Sequence, residues 1–150
     1  MWYNKIINDD TEICNFISYY ENELISARKE TAIRGSLERQ LADLPGIIEH
    51  RFSQLQEIEA VLNFLNIKLN SIRRKVYQKY MEHYAKALSS READKYTDGE
   101  PEVVDMELII NSVAFVRNSY LSIIKALESK NFMMSNIVKL RTAGLETIEI

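Results

Sequence analysis

Apolar residues recur along this chain every three or four positions, and no segment alternates with a period of two. That spacing puts them on one face of a helix and predicts an all-α protein. A first helix is expected over 10–43, carrying Ile13, Phe16, Ile17, Tyr20 and Leu24, then Leu37, Leu41 and Leu44, with Gly35 kinking or dividing it. A second is expected over 47–88, after a break at Pro45-Gly46. It begins with Ile48, and from Leu55 onward Ile58, Leu62, Leu65, Leu69, Ile72 and Val76 keep the spacing of a coiled-coil seam. The segment 89–101 reads as a loop closed by Gly99 and Pro101. A third helix is expected over 101–128, started by Pro101 and striped by Met106, Ile109, Val113, Val116, Tyr120, Ile124 and Leu127. A short fourth is expected over 132–142, capped by Ser129 or Asn131.

At a rise of 1.5 Å per residue the second helix would be about 60 Å long, roughly twice the width of a compact domain of this size. The predicted architecture is therefore an elongated antiparallel hairpin of the first two helices, with a third long helix and a short C-terminal oligomerisation helix. Residues 1–128 would form the helical domain and 129–150 the assembly segment. The tail residues Phe132, Met133, Met134, Ile137, Val138 and Leu140 cannot all be covered within one short helix, and adjacent methionines suit an adaptable subunit contact.

A hydrophobic content of 46% supports a packed core. No apolar run is long enough to span a bilayer, and the N-terminus lacks a basic stretch followed by an apolar one, so a soluble, intracellular protein without membrane association is expected. The single cysteine, Cys14, sits among apolar neighbours and is expected to be a small buried or half-buried hydrophobe. Candidate chemistry is sparse. His50 and His83 lack the companions of a metal site, the glycines are too isolated to cradle phosphate, and Ser26 and Lys29 match a hydrolase motif only by chance. The acids of 92–107 read as a charged loop and the first turn of the third helix. No enzyme, metal or cofactor is expected.

Charge changes the picture. The net charge is −3, but residues 68–91 hold seven Lys or Arg against one acid, and 92–110 hold seven acids against one base. The basic stretch also carries Tyr77, Tyr80 and Tyr84 at helical spacing. Cations that track phosphates, beside rings on which bases stack, are the ingredients of sequence-tolerant single-stranded nucleic-acid binding. The candidate DNA-binding residues are Arg73, Arg74, Lys75, Tyr77, Lys79, Tyr80, His83, Tyr84, Lys86 and Arg91. Against this stand two plainer readings. The tyrosines could continue the core stripe, and the bases could pair with 92–107 between subunits, where those acids would mask them in trans.

The C-terminal stretch 129–141, SKNFMMSNIVKLR, resembles the end of the UvsY family of recombination mediators from T-even-type bacteriophages. Ser129-Lys130, Phe132, Ile137 and Leu140-Arg141 match its serine–base pair, phenylalanine, isoleucine and closing hydrophobic–arginine pair, and Leu127-Glu128 matches its leucine–acid pair. The family's basic stretch, double tyrosine and acidic loop are similar to 73–84 followed by 92–107, with His83-Tyr84 in place of the double tyrosine. Gln78 and Tyr80 stand where the family has a Lys-x-Arg pair. The resemblance covers about 70 residues, from 73 to 141. It implies a non-enzymatic, ring-forming homo-oligomer that binds single-stranded DNA, helps displace single-strand-binding protein and loads a phage recombinase in the cytoplasm of an infected bacterium. The alternative from a different class is a coiled-coil structural or adaptor protein that binds only protein partners.

Overall fold

The computed structural model describes residues 1–84 and 87–144, and every regular element among them is helical. α1 is Trp2–Asn8, followed by a 3₁₀ turn at Asp10–Glu12 and α2 at Ile13–Glu30. α3 spans Leu37–His83, α4 Ser90–Asp98 and α5 Pro101–Thr142. The all-α expectation holds, while several boundaries differ, each for a local reason.

The expected first helix is divided twice. The Asp9 carboxylate accepts from both the backbone N–H and the hydroxyl of Thr11, at 3.0 and 2.7 Å, which opens the 3₁₀ turn. After α2 the chain turns through Gly35 at φ +79°, a left-handed conformation that glycine adopts without steric cost. Ser36 then caps α3, accepting from the Arg39 N–H at 3.4 Å.

Pro45-Gly46 does not break the chain; it lies inside α3. An interior proline loses one backbone hydrogen bond and crowds the preceding turn, costing about 3 kcal/mol. Leu37 and Leu44 lie on its N-terminal side and are buried. Each side chain contributes roughly 1.5–3 kcal/mol on burial. Both stay on the apolar face of α3 only while the helix is continuous, so continuation wins.

The expected gap between third and fourth helices is also absent. No glycine or proline occurs over 128–132, and Lys130 and Met134 carry the buried face of α5 through it. The Lys130 ammonium donates to the Glu30 carbonyl at 2.8 Å. It thereby satisfies an orphan acceptor at the negative end of α2, and burial lowers its pKa. The segment 89–101, expected as a loop, holds α4. There Ser89 and Glu92 form a reciprocal capping box.

α3 and α5 run antiparallel: Arg73 meets Glu107, Gln54 meets Tyr120, and Leu44 shares a groove with Asn131. α2 lies against both, antiparallel to α3, with Tyr20 bonded to Glu57 at 2.6 Å, and level with α5, where the Tyr20 and Tyr120 rings meet edge to face. The main core is the seam of α3 (Leu55, Ile58, Leu62 and Leu65) packed on Phe16, Tyr20 and Leu24 of α2 and on Val113, Val116, Tyr120 and Leu127 of α5. α3 as a whole is about 70 Å long, and this part of its seam is covered within the chain by α5 and α2. Beyond Lys68, which pairs with Asp10, α2 no longer reaches. α4 takes its place as the third helix. Val76, Ala93 and Val103 are buried there, outside the main core.

One polar junction ties the three long helices together. The guanidinium of Arg51, 3% exposed, donates to both oxygens of Glu30, at 2.9 and 2.6 Å, and to Glu23 and Gln54, each at 2.9 Å. Gln54 donates to Glu23 at 3.0 Å and accepts from the Tyr120 hydroxyl at 3.2 Å. The bonds to Glu30 push Arg51 further above its ordinary pKa, and the bond from Gln54 holds Glu23 below its own.

Candidate nucleic-acid interface

Eight of the ten candidate residues, Arg73 to Tyr84, lie on the last turns of α3 or, for Tyr84, at its C-cap. Arg91 is exposed on α4, and Lys86 lies outside the described residues. At 100° per residue the eight do not form one surface. Arg73, Tyr77, Tyr80 and Tyr84 share the face turned toward α4 and α5. Arg74 and Lys75 lie about 120–140° around the helix from Tyr80. Both are exposed, and neither is in an ion pair among the described residues. The expected basic and aromatic surface is therefore split into an outward pair of cations and an inward-leaning row of tyrosines.

On the tyrosine side, the acids of 92–107 are already engaged. One Nη of Arg73 pairs with Asp98 and the other donates to Glu107 at 3.2 Å. The Asp98 bond leads the effects that raise the arginine pKa. Lys79 lies 3.7 Å from Glu100, and the Tyr80 hydroxyl donates to the same carboxylate at 2.5 Å, which raises the phenol pKa. The expected pairing of basic and acidic segments occurs, but in cis, within one chain.

Ring packing follows the same plan. Tyr80 and Tyr84 are 6.0 Å apart, as their spacing of four predicts, and Tyr96 of α4 stacks on Tyr80 at 5.4 Å with an angle of 25°. Tyr96 also lies 5.8 Å from Tyr84. Tyr77 joins no ring pair among the described residues. Lys79 sits 5.6 Å from the Tyr80 ring centre, within cation–π range. His83 is exposed at the end of α3.

Sequence reasoning missed Tyr96 as a member of this site, and it expected the acids of 92–107, Asp98, Glu100 and Glu107 among them, to meet the bases between subunits and not within one chain. The signal was present: Ser89 followed three residues later by Glu92 is the signature of a helix start, and it places Tyr96 and Asp98 on an ordered element.

The tail candidates divide as well. Met134 is fully buried within the chain and Ile137 packs on the core. Phe132, Met133, Val138 and Leu140 are exposed, at 67%, 51%, 39% and 38%. Cys14, expected buried or half-buried, is exposed. No three His, Cys, Asp or Glu side chains converge to hold a metal ion, and no helix is long and apolar enough to cross a membrane, among the described residues. Comparison with protein-family models, with curated proteins and with solved structures returns no match for this chain.

Proposed function

We propose that this protein is a single-stranded-DNA-binding recombination mediator, assembling with further copies of itself and helping to load a phage recombinase onto DNA coated by single-strand-binding protein. The resemblance over 73–141 supplies the partners and the setting, the cytoplasm of an infected bacterium. The observation that carries the binding role is the end of α3. There three cations are exposed, Lys79 beside a cluster of three tyrosines and Arg74 and Lys75 further round the helix, and of the rings Tyr84 and Tyr96 are nearly half exposed. Phosphates bind the first group and bases stack on the second, which requires no particular sequence.

Anisotropy of a labelled oligodeoxythymidylate across a salt series tests this. Each phosphate neutralised on a single strand contributes a slope of about −0.7, so three cations per protomer give about −2 in log–log terms. Replacing Arg74 and Lys75 with Ala should remove about two thirds of that slope. A double variant with wild-type affinity and slope would refute the assignment of this surface.

A second reading is favoured by a separate observation. Leu108 and Phe115, seven residues apart on one face of α5, are 59% and 72% exposed, which suits a helical adaptor that binds protein alone. Absence of DNA binding at low salt, where electrostatic attraction is least screened, selects that reading.

A further inference from the structure

We propose that α4 and the first turns of α5 form a built-in strap that imitates a nucleic acid, and that single-stranded DNA must displace it to reach the tyrosines. The inference rests on the DNA-binding reading above and adds a closed resting state to it.

Two independent features of the strap match what a strand would present. The first is aromatic. Tyr96 lies nearly parallel to Tyr80 and covers a ring face that a base would need. The second is anionic. Asp98, Glu100 and Glu107 hold Arg73, Lys79 and the Tyr80 hydroxyl, the groups that would otherwise meet phosphate oxygens. One ring face and one guanidinium fork cannot serve two partners, so strap and strand exclude each other on this side of α3.

The strap is also held in a way that permits release. Its ion pairs are for the most part open to water: the side chains of Asp98, Glu107 and Lys79 are 61%, 45% and 63% exposed, with Glu100 at 22% the most covered. Exposed pairs of this kind contribute little each and weaken with salt. Over the strap only Ala93, Thr97 and, on the first turn of α5, Val103 are buried, and Thr97 satisfies its hydroxyl within the helix, on the Ala93 carbonyl. Arg74 and Lys75 stay free on the outward side, where a strand can first engage before the strap gives way. Closure lowers the apparent affinity by the fraction of molecules that are open.

The test uses the full chain and a labelled oligodeoxythymidylate. In the triple variant Asp98→Asn, Glu100→Gln, Glu107→Gln the shapes are kept and the charges removed. It should bind about tenfold more tightly at low salt, a gain that shrinks as salt rises. A control triple of exposed acids on other elements, Glu21→Gln, Glu38→Gln, Asp43→Asn, changes net charge equally and should gain much less. Hydrogen exchange on the unmodified protein gives a readout without mutation: amides of α4 should exchange faster when DNA is added. If the unmodified protein binds DNA but both triples gain alike, or α4 amides become better protected in the complex, the strap is overturned and the binding role stands. If neither the unmodified protein nor the strap variant binds, the DNA reading itself fails and the strap falls with it.

Discussion

Replacing Arg51 should uncouple the three long helices. Its guanidinium makes four hydrogen bonds, two to Glu30 and one each to Glu23 and Gln54, from a side chain only 4% exposed. Removing one partner of a fully buried ion pair costs about 3–5 kcal/mol, because the other charge is stranded. Here the stranded carboxylates are 30% and 27% exposed and can recover part of their hydration. The expected loss for Arg51→Ala is therefore about 2–3 kcal/mol. Arg51→Met keeps the volume and should lose about 1–2 kcal/mol. Urea unfolding followed by far-ultraviolet circular dichroism measures both at neutral pH. The Glu23 pKa is lowered by its bonds to Gln54 and Arg51. A carboxylate depressed in this way adds stability above its unfolded pKa, about 4.3, and that stability is lost as pH falls through the folded value. Wild-type stability should thus fall more steeply than that of Arg51→Met as the solution is acidified below about pH 4. A loss from Arg51→Ala below about 1 kcal/mol, the size of an exposed ion pair, would show that the junction is solvated and the reasoning wrong.

Two further expectations concern α3 and the tail. Pro45 and Gly46 are both exposed, and a Cβ built on Gly46 meets nothing within 4 Å. The double change to Ala should therefore raise stability by about 1–3 kcal/mol in the same urea assay, and a loss would mean that proline sets a bend the packing needs. Phe132→Asp with Met133→Asp should lower the assembled mass in light scattering while leaving the melting temperature nearly unchanged, since both side chains are exposed. Met134→Ala should instead cost about 2–5 kcal/mol, because that side chain is fully buried. An unchanged mass in the aspartate variant would remove the tail from the assembly surface.

Helix type was legible because burial decides it, and burial leaves a period in the sequence. Leu55, Ile58, Leu62, Leu65, Val113, Val116, Tyr120 and Leu127 were all expected on buried faces and all are buried. Helix ends were less legible because they follow from competition. Pro45-Gly46 is a strong local stop signal that lost to Leu37 and Leu44, and Ser129 and Asn131 are good caps that lost to Lys130 and Met134. The site was legible as charge and not as geometry. Runs of seven bases and seven acids announce an electrostatic contact, yet only the position of α4 decides that they meet within one chain. Lys130 had no signal at all, since its partner is the backbone of a residue 100 positions away.

The antiparallel register of α3 and α5 also sets an order of folding. Contacts near the α4 end join residues about 34 positions apart, as Arg73 and Glu107 do, whereas at the opposite end Leu44 of α3 shares its groove with Asn131 of α5, about 87 positions on. Loop-closure entropy rises with separation, so the hairpin should zip from α4 toward Lys130. On the ribosome the consequence is a delay. α2 and α3 emerge first and can pair, but the side of their seam meant for Val113, Val116 and Leu127 stays open to water until α5 has been made. The nascent protein therefore spends that interval with a long apolar stripe exposed, the period in which a chaperone or a second nascent copy can reach it.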